Sequence, residues 1–465
     1  MILNKPLLIA LAAFAAHAAT KDWKTVRVSD TLEIFSNDNY TGSMTHVLVV
    51  NEAAQTIADE TRMHIESAGF SAAESASMDI SEQRNYGFDG GLVAARQELK
   101  TASGANVWKL SGDNRNGWAL SVNAGGTTSV RKIATLPENL NMTFAVYDGM
   151  KKRSLKTGMV LYDTLIDLTS GRLCATNLTC KETPSLKNGS TWVFTTFNDI
   201  TAREERWELD TCGRTIYQEV WPYVARKKTG NAGRPRAPAL FETLAVPVAR
   251  AAADSETVLL KLDASLTPDS SVCLLYRKNG KNWALRTIDS VCPGTLSKGK
   301  PNSGLTRFTL PTSTMQSDDA RIVRIADSLV KGKRDRCDSV RACFEFVNTT
   351  LRKQYSPTFS NAVETLKAGF GDCGEHSVLL GALLRAVRIP ARVTLGLVYM
   401  DGRKSYFYHA WVAADFGGVW VFVDPTLGVF PAVRDRVPLV FDDTGDAVIG
   451  IVKLIGRIGI DYIKK

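Results

Sequence analysis

The sequence has 465 residues, 44% of them hydrophobic and 23% charged, with a formal net charge of +9. That length predicts roughly three domains of about 150 residues, and the ordinary composition excludes extended disorder and collagen-like or low-complexity architectures. No repeat recurs at a period of about 20–50 residues, which excludes a solenoid or a propeller. The positive charge is interspersed. Its densest runs, Arg226–Lys228 and Lys331–Arg336, adjoin no reading motif, so they predict a solvated basic surface and no nucleic-acid partner.

The chain opens with Lys5, an apolar run from Leu7 to Ala16, and the small-x-small triplet Ala16-His17-Ala18. This pattern predicts a secretory signal peptide at residues 1–18 and a soluble exported protein, periplasmic or secreted. No Cys follows it closely, so no lipid anchor is expected. The later apolar stretch Ala447–Ile463 is interrupted by Lys453, Arg457 and Asp461, so no transmembrane segment is expected either. Export permits disulfides. Cys273 and Cys292 flank two strand-like runs and are candidates for a bridge; Cys174, Cys180 and Cys212 could supply another. Cys337 and Cys343 would lie about 9 Å apart within one helix, too far to bond. They could pair only if Cys337 precedes a helix capped by Asp338.

Residues 19–245 read as strands and turns, predicting an antiparallel β-rich region of one or two subdomains. Thr25–Val28 and His46–Val50 are rich in β-formers, Thr191–Phe197 alternates with period two, and Arg206–Asp210 with Thr215–Val220 reads as a hairpin. Lys227–Ala239 is a basic Gly/Pro-rich loop and the best linker candidate. A strand-rich segment occupies 246–315. From Asp318 the pattern becomes helical: Ala320–Val330, about Asp338–Arg352, Asn361–Ala368, and a strongly apolar helix from Cys373 to about Val387. Strands follow at Arg392–Tyr399, Phe407–Ala414 and Val419–Asp424. Helices that precede a sheet define an α+β domain at 316–432, leaving 433–465 as a C-terminal extension.

Residues able to do chemistry are few in this half. Beyond residue 18 the histidines are His46, His64, His376 and His409. H-E-x-x-H, G-x-S-x-G and P-loop patterns are absent, as are metal-ligand clusters, so no metal or cofactor is expected. Cys373 follows Gly371-Asp372 and opens a helix, where backbone N–H groups and the helix dipole favour a thiolate and a developing oxyanion. A buried structural Cys is the competing reading.

His409 begins a strand that turns at Phe416-Gly417-Gly418 and returns to Asp424. With Gly417-Gly418 central in a two-residue turn, His409 lies opposite Thr426 and Asp424 is its diagonal neighbour. With Phe416-Gly417 central, His409 faces Asp424 directly. Either register puts both side chains on one face, whereas a three-residue loop would separate them. An Asp beside an imidazole sets its tautomer and stabilises the imidazolium. Cys373, His409 and Asp424 thus supply a nucleophile, a base and an orienting acid. His376, three residues from Cys373 on the same helix, is the rival base and otherwise lines or supports the site. Of the aromatics around the hairpin, Tyr408 and Trp411 are candidates to line the acyl pocket.

Gly371-Asp372-Cys373-Gly374-Glu375-His376, Leu383-Leu384-Arg385, Arg388-Ile389-Pro390-Ala391-Arg392, His409-Ala410-Trp411 and Val423-Asp424-Pro425-Thr426 together resemble the core of the transglutaminase-like superfamily over residues 316–432. The family usually carries Gly where Arg388 stands, a loop difference. The upstream β-rich region resembles, more weakly, that of exported bacterial proteins bearing this domain. The resemblance implies a papain-like fold with a Cys373-His409-Asp424 triad and acyl transfer through a Cys thioester. It implies a second oxyanion donor upstream of Cys373, at Gln354 or Tyr355. It implies a peptide or protein substrate, with hydrolysis favoured over amine transfer. A non-catalytic envelope scaffold is the alternative from another class, and under either reading the β-rich region would bind an envelope partner.

Overall fold

The computed structural model describes residues 26–464, apart from 37, 68–75, 102–103, 125–126, 138–141, 170, 186–189, 200, 212, 229–243, 264–265, 287–302, 355–359, 417–418, 433–434 and 443–450. The expected signal peptide, Tyr355, Cys212, Cys292 and most of the basic loop Lys227–Ala239 lie outside the described residues. The chain divides into two compact units, Leu3–Thr243 and Leu244–Lys465.

In the first unit, among the described residues, fourteen antiparallel strands form one sheet. The strand Val26–Ser36 lies within it. Seven strands follow on one side in chain order as far as Thr127–Ile133, and six return from Val160–Asp167 at the other edge to Tyr223–Lys227. That last strand pairs with the first, from Leu32↔Lys227 to Phe35↔Val224. Every other neighbour is consecutive, so local hairpins build almost the whole sheet. Burial alternates with period two, as in Asn39–Asn51.

One apolar cluster joins Leu48, Val50 and Ile57 from one arm to Leu178, Phe194, Trp207 and Leu209 from the other. Arg84 Nη2 also spans the arms, donating to Ile166 O at 2.8 Å. Helix α1 (Met142–Lys151) sets Val146 into the same cluster. The sequence reading did not foresee α1. Its Thr, Phe, Val, Tyr and Gly are poor helix formers, and the helical state rests on burial of Val146 in that tertiary core.

The expected disulfides at Cys273–Cys292 and among Cys174, Cys180 and Cys212 are not formed: Cys180 and Cys273 are free thiols, and Cys174 places Sγ 3.2 Å from Asn198 Oδ1. Cys174 and Cys180 share the strand Arg172–Glu182, where six residues of extended chain separate them by about 20 Å.

The second unit is α+β. Helices α2 (Ala320–Val330), α3 (Arg336–Thr350), α4 (Ala362–Ala368) and α5 (Cys373–Ala386) precede most of an antiparallel sheet. That sheet contains β1 (Val246–Pro247), β2 (Ala391–Met400), β3 (Ser405–Asp415), β4 (Trp420–Val423) and β5 (Arg436–Asp442), in the order β1-β3-β2-β5 with β4 paired to β3. Helix α3 starts two residues earlier than expected, because Asp335 rather than Asp338 is its cap, accepting from Asp338 N. Cys337 therefore lies inside the helix, and Cys343 is a free buried thiol, so these two do not bridge.

Residues Gly374–Arg385 of α5 are buried against β2, β3 and the other three helices. A helix so enclosed must be apolar on every side. Its one buried cation, Arg385, spends its donors on Ala391 O and Leu310 O, at 2.9 and 2.8 Å. The segment read as a C-terminal extension is integral to this unit. Residues Arg436–Asp442 pair with β2, and Ile458–Lys464 pair with Glu256–Leu262 in a second sheet. Among the described residues no helix is long and apolar enough to cross a membrane.

Gly396 on β2 pairs with His409 on β3. A Cβ there would stand 2.2 Å from Val437 O and 2.6 Å from the Trp411 ring, with backbone on one side and a buried indole on the other. Gly396→Ala is therefore expected to destabilise this unit by about 1–3 kcal/mol, measured as a lower urea midpoint than wild type.

Candidate active site

Cys373 owes its position to the turn before it. Phe370–Gly371 pairs in parallel with Arg352–Lys353, and Gln354 N donates to Gly371 O at 3.0 Å. Asp372 then caps α5: its Oδ1 accepts from Gly374 N at 2.8 Å, and Glu375 Oε2 accepts from Asp372 N at 3.0 Å. This reciprocal capping box satisfies donors that a helix start leaves open. The other Glu375 oxygen accepts from Ser360 N at 3.2 Å. Burial, reinforced by Asp372, holds the Glu375 carboxyl well above the usual carboxylate range. Gly371 has to be glycine because a Cβ would lie 2.3 Å from Glu375 Cβ. The Gly-Asp-Cys-Gly-Glu run thus builds a tightly capped helix start that leaves Cys373 half-buried as the first helical residue.

The hairpin takes the first of the two registers considered: β3 pairs with β4 from Asp415↔Trp420 to Val412↔Val423. In this register Asp424 is the diagonal neighbour of His409. The strand β4 ends at Val423, and Asp424 exchanges backbone hydrogen bonds with Val429 at 2.9 and 3.1 Å. Asp424 Oδ1 accepts from Thr426 N and Leu427 N at 3.0 and 2.9 Å, which fixes the carboxylate over its own turn. Asn348 on α3 clamps the same turn, donating to Pro425 O at 2.6 Å. The outward oxygen, Oδ2, accepts from His409 Nε2 at 2.8 Å and from Arg436 Nη2 at 2.5 Å.

His409 is 4% exposed, and Asp424 is fully buried. Because Asp424 accepts at Nε2, that nitrogen carries the proton. The second ring nitrogen, Nδ1, is buried with no oxygen or nitrogen partner, and Cys373 is the other side chain acting on the ring. Burial opposes the imidazolium, but Asp424 and Cys373 outweigh it and raise His409 from 6.5 to about 10. Burial likewise opposes the Asp424 anion, and His409 with Arg436 overrides it, holding the carboxyl well below its usual range.

The structure brings Cys373, His409 and Asp424 together and separates the other candidates. His376 is fully buried, with Nδ1 donating to Asp372 O at 2.7 Å. Burial lowers its pKa, and the charges acting on it belong to Asp372 and Lys353. It supports the helix start. Trp411 shares the face of His409, but it is fully buried against Phe422, at 5.7 Å between ring centroids, within the sheet's own core. Tyr408 alternates to the opposite face of β3 and is buried there. Both were candidates to line the acyl pocket, and both are instead buried, as is β3 along its whole length. Gln354 stands beside the Gly371–Cys373 turn with its backbone N–H already committed to Gly371 O.

Sequence reasoning missed Arg436. It lies in the supposed extension, and a lone Arg in a strand carries no local mark of burial. Asn348 was missed because a lone Asn near the end of a helix carries no mark of the distant turn that it meets.

Residues 323–425 match the family model described as the Transglutaminase-like superfamily. No curated protein matches the chain. Among solved structures, a candidate cysteine protease from Cytophaga hutchinsonii is similar at 15% identity and TM-score 0.29, over 48% of this chain and 81% of that one. A DUF1089 family protein from Pseudomonas aeruginosa is similar at 12% identity and TM-score 0.23, over 44% of this chain and 94% of that one. A candidate protease from Parabacteroides distasonis is similar at 12% identity and TM-score 0.21, over 70% and 64%. The matched residues 323–425 carry Cys373, His409 and Asp424, so a transglutaminase-like domain lies within the α+β second unit, which follows a β-rich N-terminal unit.

Proposed function

We propose that the second unit is a thiol enzyme that cleaves amide bonds of a peptide or protein through a Cys373 thioester. The observation that carries this reading is the buried His409–Asp424 pair, at 2.8 Å, whose other ring nitrogen is left without an oxygen or nitrogen partner beside Cys373. In this scheme the Cys373 thiolate attacks the amide carbonyl carbon. The resulting oxyanion is met by the backbone N–H of Cys373, which the Asp372 cap does not take, and by the side-chain amide of Gln354. The His409 imidazolium gives its Nδ1 proton to the leaving nitrogen as the C–N bond breaks. An amine departs and a thioester remains. Water then attacks with neutral His409 Nδ1 as base, releasing the carboxylic acid and restoring the thiol.

Hydrolysis is preferred to amine transfer because water needs no second binding site. The N-terminal sequence pattern supports export to the periplasm or beyond, and a partner of the cell envelope is assigned to the β-rich unit. There a groove of about 670 Å³ presents Arg62, His64, Asp79, Arg96, Glu98 and Lys100.

Iodoacetamide on native protein at neutral pH is expected to alkylate Cys373 faster than the exposed Cys273, while burial, which pushes Cys180 up to about 11 and Cys343 up to about 12, keeps those thiols silent. Peptide mapping reads the order, and preferential labelling of Cys273 sinks the assignment. His409→Ala is expected to cost about 10²–10⁴-fold in amide turnover and to slow alkylation. His376→Ala should cost little in either. Equal losses with intact circular dichroism would reopen the choice of base.

The His409 shift also fixes a pH dependence. A folded pKa raised from 6.5 to about 10 gives stability that is complete below 6.5 and lost as pH rises through 10. Denaturation midpoints should fall across that window in wild type, and much less in Asp424→Asn. Amide turnover should share the alkaline limb, because the leaving nitrogen loses its acid. Product mass with and without an added primary amine separates the reactions: an unchanged carboxylic acid product supports hydrolysis, and an amide adduct supports transfer.

A further inference from the structure

Arg436 has no part in the transfer of protons just described, yet it is bound to the same carboxylate oxygen as His409. It opens β5, is fully buried, and places Nη2 2.5 Å from Asp424 Oδ2. Its Nη1 meets the Asp435 carboxylate, and its Cζ lies 5.9 Å from the Trp411 ring centroid. Geometry alone does not require it. Asp424 is already held by two backbone N–H groups on Oδ1 and by its turn.

Charge does require it. During the reaction His409 alternates between imidazolium and neutral imidazole. Whenever it is neutral, a fully buried Asp424 would be left an uncompensated anion, at a cost of several kcal/mol. The pair's response would be to keep a proton and so to withhold a free base from the second step. We propose that Arg436 is a positioning residue that acts through Asp424: a permanent counter-charge that keeps the carboxylate ionised when His409 is neutral, and so lets His409 release its proton for the resolving step. Arg suits this role because its guanidinium stays charged at every working pH and forks between two carboxylates.

The groups acting on His409 are few. Cys373 approaches from α5, Asp424 from the turn after β4, and Arg436 from β5, with Asp435 beyond it; the Trp411 ring stacks at 6.3 Å on the same strand. Removing the Arg436 charge therefore takes away both a like charge near the imidazolium and the partial neutralisation of Asp424. Both changes push the proton of the pair to higher pH.

This inference rests on the thiol-enzyme reading, but its test does not use turnover. Full-length protein is alkylated at Cys373, which removes the thiolate, and the His409 ring is followed by NMR across pH. In Arg436→Met the titration midpoint is expected to rise by at least one pH unit over alkylated wild type. Arg436→Lys, which keeps a charge, should stay near wild type. Arg436→Gln keeps a donor to Asp424 without the charge and should follow Arg436→Met.

An unshifted or lowered midpoint in folded Arg436→Met and Arg436→Gln overturns the proposal. Failure of both to fold also overturns it, because Arg436 would then serve the stability of the buried carboxylate rather than the proton of His409. Loss of preferential Cys373 alkylation in wild type would instead sink the enzyme reading, and the titration comparison would still stand.

Discussion

The second unit turns on a carboxylate with no contact with water. Asp424 is fully buried, and an anion in that position is tolerated only when its lone pairs are used and its charge is answered. Two backbone N–H groups take Oδ1, while His409 and Arg436 take Oδ2. Each partner comes from a different place in the chain: the turn itself, β3, and β5. The sheet order that sets β2 between β3 and β5 is therefore also the condition for ionised Asp424. Gly396 sits at the centre of this arrangement. It pairs with His409 on one side, lies against Val437 on the other, and leaves room only for the Trp411 ring above.

Cys373 is positioned by an independent device. Gly371, Asp372 and Glu375 exist to start a helix sharply: the glycine admits Glu375, and the two acids exchange caps. Burial of α5 on nearly every residue after Cys373 then leaves the helix no freedom to shift. His376 belongs to this device, since its ring is tied to the Asp372 carbonyl four residues back. Packing of α5 on β3 is what brings the two devices together. A Cys held by a rigid helix and an imidazole held by a rigid carboxylate can meet with little reorganisation.

The first unit obeys different rules. Its sheet is built almost wholly from neighbouring hairpins, so its contacts are local in sequence, and only the pairing of Val26–Ser36 with Tyr223–Lys227 closes a long loop. That one non-local pairing joins the two arms edge to edge. The shared apolar cluster and the bond from Arg84 to Ile166 O then hold the arms to each other. Two of its buried ionisable groups are paired, Arg84 with Glu82 at 2.5 Å and His46 with Asp59 at 2.8 Å, while burial raises the carboxyls of Asp30, Asp163 and Glu205.

Local patterns determined much of this protein. The apolar spacing of Ala320–Val330, the cap and glycine punctuation before Cys373, and the alternating runs around His409 and Asp424 each state their structure within a few residues, because helix caps and strand alternation are short-range physics. The choice of hairpin register was legible only as a pair of alternatives, and the backbone pairing chose between them. What the sequence left open was set at long range. Helix α1 forms from poor helix formers because a core exists to receive Val146. Cys174 and Cys180 stay unbridged because one strand holds both. Tyr408 and Trp411 became core because β3 is covered on both faces. Arg436 gained its place only when β5 paired with β2, since nothing in Arg436-Val437-Pro438 signals that its guanidinium will meet a carboxylate twelve residues back in the chain and fully out of water.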